Sequence, residues 1–317
     1  MYFSAKTIDD LLHAAFRQLL KSKNRVKASR GSMTELTGVL LQLTNPRARL
    51  SRTETRGRLF SCLGELFWYL AGTDDLGFIQ HYLSHYGEES DDGQTVYGAY
   101  GPRLFSMRGK DQVANVIKLL KKRETSRRAV IQLFDAEDIA QQHKGIPCTC
   151  TLQLMIRNGR LIMFTNMRSN DVFLGLPYDV FAFTMLQEIL ARTLGVEVGV
   201  YSHAVGSLHL YEKNRKAAKQ YLDEGWQENV TMPPMPLGDP WPALRILLKV
   251  ESEIRHGEIS DVASLRLGDY WADLVRLLQI FLYRKDKNTG EITKLRKNVS
   301  SPIYDSYVRG RLLPPKK

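Results

Sequence analysis

The chain is poor in cysteine, in acidic residues and in long apolar runs. Its 317 residues hold three cysteines, Cys62, Cys148 and Cys150. A low, odd count argues against a disulfide framework, so a reducing cytoplasmic setting is expected. The longest apolar runs, 66–71 and 161–164, fall far short of the roughly 20 residues that span a bilayer, so no membrane partner is expected. Asp9 and Asp10 interrupt the amphipathic start of the chain, which has no apolar core of a secretory leader. No segment repeats. Cys148 and Cys150 have no second Cys or His pair at finger-like spacing, so no metal is expected. Asp and Glu number 34 against 45 Lys and Arg, a net charge of +11. That excess favours anionic partners (phosphates, polyglutamates, nucleic acid, an acidic surface) without choosing among them.

What is present reads as a folded α+β chain. Hydrophobic residues at 43% and charged residues at 25% exclude disorder and coiled coil as the main state. Apolar periodicity predicts helices over 6–22, 58–71, 110–123, 181–194, 210–222, 243–254 and 265–283. Strands are expected at 39–43, 129–134, 151–156, 161–166 and 198–203, with Asn158-Gly159 as a hairpin turn. The polar stretches 24–37 and 87–95 read as loops, and the Pro-rich 232–242 as a linker. Two regions are therefore expected: a catalytic unit over 1–231 and a helical C-terminal extension over 232–317, packed on the same domain. The basic run Arg284, Lys285, Lys287, Lys294, Arg296 and Lys297 reads as a solvated face rather than a nucleic-acid site.

Three segments can carry chemistry. Ile146-Pro147-Cys148 sets a thiol at a strand entry whose geometry proline restricts. Nearby cations would activate that thiol, and Arg127, Arg128 and Arg168 are available. The plainer reading makes Cys148 and Cys150 ordinary strand residues. Arg168 and Ser169 offer a guanidinium fork and a hydroxyl for phosphate. Gly175 lets a ligand approach the backbone before a helix, and Asp179 reads otherwise as a helix-start carboxylate. His209 and Tyr211, two apart on an extended segment, share one face and can both bond a sugar hydroxyl.

Together these units resemble the thymidylate synthase family over about residues 6–215. The run IPCTCTLQLMIRNGRLIMFTNMRSNDVFLGLPYDV, then a helix, then HAVGSLHLYEKN, carries the likeness. Cys148 and Arg168 keep the family's interval between nucleophile and phosphate-site Arg-Ser. The resemblance implies a homodimer built on a mixed sheet packed with helices. It implies methylenetetrahydrofolate as one-carbon donor to C5 of a pyrimidine nucleoside monophosphate. Cys148 would add to C6. Arg30, Arg168, Ser169 and the second subunit's copies of Arg127 and Arg128 would hold the phosphate, and His209 and Tyr211 the sugar. Glu65 and Tyr97 would organise water and protons, and Asp171 with Gly175 would meet the folate.

Departures from the family pattern narrow the expectation. Asp179 stands where a thymidylate synthase has Asn. An amide matches the uracil edge, whereas a carboxyl group accepts from the cytosine amine and shares a proton with N3. The same replacement marks the cytidylate 5-hydroxymethylase branch. The family's Ile-Trp-Asp-Glu-Trp stretch is missing, with 78–82 taken as the comparable region, and the tail differs. A wetter pocket favours water over hydride at the new carbon, hence a hydroxymethyl product. Thr149 and Met167 replace the usual His and Gln. The leading expectation is a CMP or dCMP 5-hydroxymethylase. The alternatives are a thymidylate-type methylase acting on dUMP or UMP and a non-catalytic nucleotide- or RNA-binding homologue.

Overall fold

The computed structural model describes all residues except Ser29, 54–56 and 313–317. Ser29 of the expected Arg30 loop, and the end of the atypical tail, therefore lie outside the described residues. In chain order the N-terminal region runs β1 (Tyr2–Ala5), α1 (Ile8–Lys21), β2 (Arg25–Ala28), β3 (Gly31–Leu43), α2 (Leu59–Leu70), α3 (Leu76–Tyr82), α4 (Tyr100–Phe105) and α5 (Gln112–Lys122). Then follow β4 (Val130–Gln132), β5 (Thr149–Arg157), β6 (Arg160–Asp171), α6 (Leu176–Leu194), β7 (Glu197–Tyr211) and α7 (Arg215–Asp223). The C-terminal region adds α8 (Trp241–Arg255), α9 (Asp269–Lys285), α10 (Thr289–Asn298) and α11 (Asp305–Leu312).

The strands form one seven-stranded mixed sheet in the order β1-β3-β7-β6-β5-β4, with β2 paired to β3. The pairs β1–β3 and β6–β7 are parallel and the rest antiparallel. Asn158 and Gly159 both take positive φ, 50° and 67°, which joins β5 to β6 by the tight turn their sequence predicts. This is the α+β architecture expected, helices packed on a mixed sheet.

Three expectations change. Residues 24–37, read as a loop, are the hairpin of β2 and β3. Only scattered positions of β3 are buried, so its apolar pattern is weak. Its partner β7 supplies the pairing instead, over Met33 to Leu43. The strands expected to end at 166 and 203 run on to Asp171 and Tyr211, and the helix expected from 210 begins at Arg215. The linker over 232–242 is a pinned strap. Met232 and Met235 are buried, the Met235 amide donates to Glu188 at 2.9 Å, and Arg192 donates to the Met235 carbonyl at 3.0 Å.

Both expected strand ends coincide with a phase slip. In β6, residues 161, 163, 165 and 167 are buried, then 170. In β7 the buried series is 199, 201, 203 and 205, then 208 and 210. Pairing passes from Met167–Val205 to Ser169–Ser207, skipping Arg168 and Gly206. The β6–β7 register is the same on both sides of that gap, whereas β5 shifts its register on β6 between Thr149 and Thr151, at Cys150. Three adjacent strands thus carry an irregularity side by side, a device that re-aims side chains. Gly206 permits it: a Cβ there would stand 2.8 Å from the Arg168 carbonyl oxygen.

Helix α2 is buried along its whole length and packs against α3, α6, α8 and α9. The C-terminal region is fastened to the N-terminal region by buried polar contacts. Tyr82 donates to Glu251 at 2.8 Å and Tyr307 to the Ser51 carbonyl at 2.7 Å. In the basic run, Arg296 pairs with Asp305 at 2.6 Å and Lys294 with Glu291 at 2.5 Å. Among the described residues no helix is long and apolar enough to cross a membrane.

Candidate active site

The slip in the sheet and the start of α6 gather most of the expected residues. Cys148 precedes β5, and its carbonyl accepts from the Arg168 amide at 2.8 Å. The Arg168 guanidinium turns back on the same entry, donating to the carbonyls of Pro147 at 2.9 Å and Ile146 at 3.2 Å. The proline-led approach to the thiol is therefore braced by the arginine nearest to it in charge. Burial pushes the thiol pKa up. Arg168 and then Arg30 pull it down, while Asp179 and Glu89 raise it further. The cations act on the thiol as expected of them, and desolvation opposes them.

Arg30 is paired with Glu89 through both nitrogens, at 2.6 Å each. It lies close enough to Cys148 and Tyr211 for their charges to bear on it. Ser169 is half-buried and pairs in register with Ser207, while Asp171 pairs with His209. The Asp171 carboxylate accepts from the amides of Phe173 at 2.8 Å and Leu174 at 3.2 Å, which fixes the turn into α6. His209 is buried and meets Tyr211 edge-on at 5.0 Å, the two-residue pairing that the sequence predicts.

Asp179 lies in the first turn of α6, but it does not cap the helix. Its Oδ2 accepts from Asn170 Nδ2 at 2.8 Å. Burial raises its pKa well above the usual carboxylate range, Glu65 adds to this, and Asn170 only partly offsets it. Glu65 on α2 is the second buried acid. Its Oε1 accepts from Tyr69 at 2.8 Å and Tyr86 at 2.7 Å, yet burial still raises its pKa. Desolvation is the largest cause at both acids, and it favours the neutral form.

Several expectations are redirected. Tyr97 stacks on His143, with centroids 3.5 Å apart, and lies beside Arg103 and Asp138. The tyrosine that joins the thiol cluster is Tyr100, buried and near both Cys148 and Asp179. Its hydroxyl oxygen accepts from the Thr149 amide at 3.0 Å and hydroxyl at 2.9 Å. Gly98 lies between the two tyrosines and fits closely. A Cβ there would meet the Gly145 carbonyl oxygen at 2.9 Å. The stretch 78–82 does not wall the site either. Phe78, Ile79 and Tyr82 are core residues of α3, and it is Tyr86 that reaches Glu65. Arg127 and Arg128 are exposed ahead of β4, and the charges acting on Cys148 do not include theirs.

Behind Asp179 runs a buried line that sequence reasoning left without a role. Tyr201 bonds His203 Nδ1 at 2.7 Å, and His203 Nε2 bonds Asn170 Oδ1 at 3.0 Å. Burial drives the His203 pKa down to about 3, so the ring is neutral. Polar and aromatic residues two apart on a buried strand face were the available signal. Gly175 adjoins this line: a Cβ there would stand 2.8 Å from Asn170 Nδ2.

Comparison with known proteins agrees with the geometry. The thymidylate synthase family model matches residues 22–253, running past the boundary expected at 231 into α8. Among curated relatives are deoxyuridylate hydroxymethyltransferases of three phages. That of Pseudomonas phage M6 is 36% identical over 158 residues, 49% of this chain and 45% of the relative. That of Delftia phage PhiW-14 is 30% identical over 196 residues, 57% and 54% respectively. That of Bacillus phage SP01 is 32% identical over 201 residues, 59% and 52%. The chain spans about half the length of the curated relatives it matches. With a thiol at the mouth of a slipped three-strand ladder, the buried Asp179 beside it and a family match over most of its length, the chain belongs to the thymidylate synthase family.

Proposed function

We propose that the protein is a hydroxymethyltransferase acting at C5 of a cytidine monophosphate, CMP or dCMP, with methylenetetrahydrofolate as co-substrate. The observation that carries the base assignment is Asp179, a buried carboxyl group beside the Cys148 thiol where a uracil-reading site has an amide. A carboxylic acid can donate to N3 of cytosine and accept from its exocyclic amine. Neutrality also matters to the nucleophile, because an ionised Asp179 would oppose thiolate formation.

In this reading Cys148 Sγ adds to C6, and the ring electrons move to C5. Arg168 supplies positive potential at the sulfur and, with Ser169 and Arg30, grips the phosphate. Arg30 leaves Glu89 to do so. His209 and Tyr211 hold the sugar. Glu65, with the Tyr69 and Tyr86 hydroxyls, orients water and carries protons, and Tyr100 steadies the strand at Thr149. Asp171 beside Leu174, an apolar side chain 42% exposed, fits a flat heterocycle bearing N–H donors, so these two and Gly175 would hold the folate. When bound, methylenetetrahydrofolate supplies a one-carbon unit at the oxidation level of formaldehyde, so water completes the C5 substituent as a hydroxymethyl group without any reductant.

Arg127 and Arg128 are assigned to the neighbouring subunit of a homodimer with shared sites, and the unit boundary near 231 is kept as a proposal. Mixing a Cys148→Ala chain with an Arg127→Ala chain is expected to restore activity that neither has alone. The names of the phage relatives favour a second reading, deoxyuridylate as substrate. Incubation with methylenetetrahydrofolate and each of CMP, dCMP, UMP and dUMP, followed by mass spectrometry, decides between them. Hydroxymethylcytidylate is the expected product, and turnover of dUMP in preference to both cytidylates would sink the base assignment.

A further inference from the structure

We propose that Tyr201, His203 and Asn170 are positioning residues that pin Oδ2 of Asp179 as a permanent acceptor, and that this is what fixes which pyrimidine base the site reads. The inference rests on the proposed reaction and deepens it. A carboxylic acid alone discriminates poorly. It has one donating and one accepting oxygen, and its proton can sit on either. With the proton on one oxygen it matches N3 and the amine of cytosine. With the proton on the other it matches the N3–H and carbonyl of uracil. Something must break that symmetry if the site is to choose.

The buried line behind Asp179 can do this because the orientation of the Asn170 amide, with Oδ1 toward His203 and Nδ2 toward Asp179, sets its direction. Asn170 Oδ1 can only accept, so His203 Nε2, 3.0 Å away, carries a hydrogen. The ring is neutral in its buried setting, so Nδ1 has a free lone pair and accepts from the Tyr201 hydroxyl at 2.7 Å. The Asn170 amide, fixed by that bond, presents Nδ2 to Asp179 Oδ2 at 2.8 Å. Donation therefore runs one way, from Tyr201 to His203 to Asn170 to Asp179, and the proton of the neutral acid belongs on Oδ1. The phase slip makes the meeting possible, since it brings Asn170 to the buried side of the sheet that His203 occupies. Gly175 leaves the amide its space.

The test uses the purified full-length chain, methylenetetrahydrofolate and dCMP or dUMP, with CMP and UMP in parallel. The readout is the ratio of kcat/KM between cytosine and uracil substrates. Asn170→Leu is expected to lower that ratio by roughly 5- to 150-fold, the span that loss of one buried hydrogen bond predicts. Tyr201→Phe is expected to lower it by roughly 3–10-fold on the same basis. His203→Gln, whose amide N–H can replace Nε2–H, is expected to stay within about threefold of wild type. A purely structural role would slow both bases by the same factor, and that result, or an unchanged ratio, overturns the proposal. Should the variants fail to fold, 15N spectra of the histidine-labelled wild type still decide, with the His203 signal identified by its loss in His203→Gln or by its coupling to the Asn170 side chain. The Nε2–H tautomer is expected, and an Nδ1–H tautomer would mean the amide is turned round and the line runs the other way. If the wild type transforms none of the four nucleotides, the proposed function fails while the tautomer test of the line stands.

Discussion

Helix α6 carries two buried acids of opposite character, nine residues apart. Glu188 faces a guanidinium: it forms an ion pair with Arg49, both side chains wholly buried, and also accepts from the Met235 amide at 2.9 Å. Asp179 faces an amide, and burial leaves it inclined to stay protonated. The first ties the helix to the strap that leads into the C-terminal region. The second stands beside the thiol with a proton to place. A buried acid given a cation fastens the fold, and one given only neutral donors is available for chemistry.

The comparison breaks most directly at Asp179. Replacing it with Asn should swing base preference from cytosine toward uracil by about three to four orders of magnitude. Competition kinetics with mixed dCMP and dUMP measures this, and an unchanged preference would remove Asp179 from base reading. At the other acid the effect should appear in stability alone. Arg49→Met strands the Glu188 charge and is expected to cost about 3–5 kcal/mol in urea unfolding. Adding Glu188→Gln should return part of that loss, because the Met235 amide keeps an acceptor. Base preference in the double variant should equal wild type.

The acids should also differ in their response to pH. Burial holds the Asp179 pKa above its unfolded value of about 3.9. Between those two values the folded chain keeps a proton that the unfolded chain has released, so stability falls as pH rises. The contribution is complete below the unfolded pKa and lost as pH passes the folded one. The denaturation midpoint of wild type, relative to Asp179→Asn, is expected to fall as pH rises above about 4. Parallel curves would contradict a raised pKa. The smallest effect is expected at Tyr100→Phe, which removes the oxygen accepting from Thr149. A loss of about 1–2 kcal/mol in stability is expected, with base preference unmoved.

How far the sequence shows the site follows from the same physics. Cys148, Arg168, Asp171, His209 and Tyr211 are legible because several motifs occur in a fixed order. The strand halves that hold the last four are not legible from periodicity. Alternation breaks at Arg168 and Gly206, so a period-two reading stops where the functional residues begin. Tyr100 was passed over for Tyr97 because motif position does not say which phenol turns inward. Asn170 sits between Ser169 and Asp171, yet its partner is set by a strand more than thirty residues away. The strap over 232–242 reads as a linker because its proline content is visible and its backbone bonds to Glu188 and Arg192 are not.

The aligned irregularity in β5, β6 and β7 bears on how this sheet can vary. Deleting one residue at the slip from β6 or from β7 would turn its distal half over, sending Ser169 and Asp171, or His209 and Tyr211, to the wrong side. The other two strands would then face a neighbour out of step. Such a change has no tolerated single step, so substitutions can retune the pocket freely while its length register stays locked.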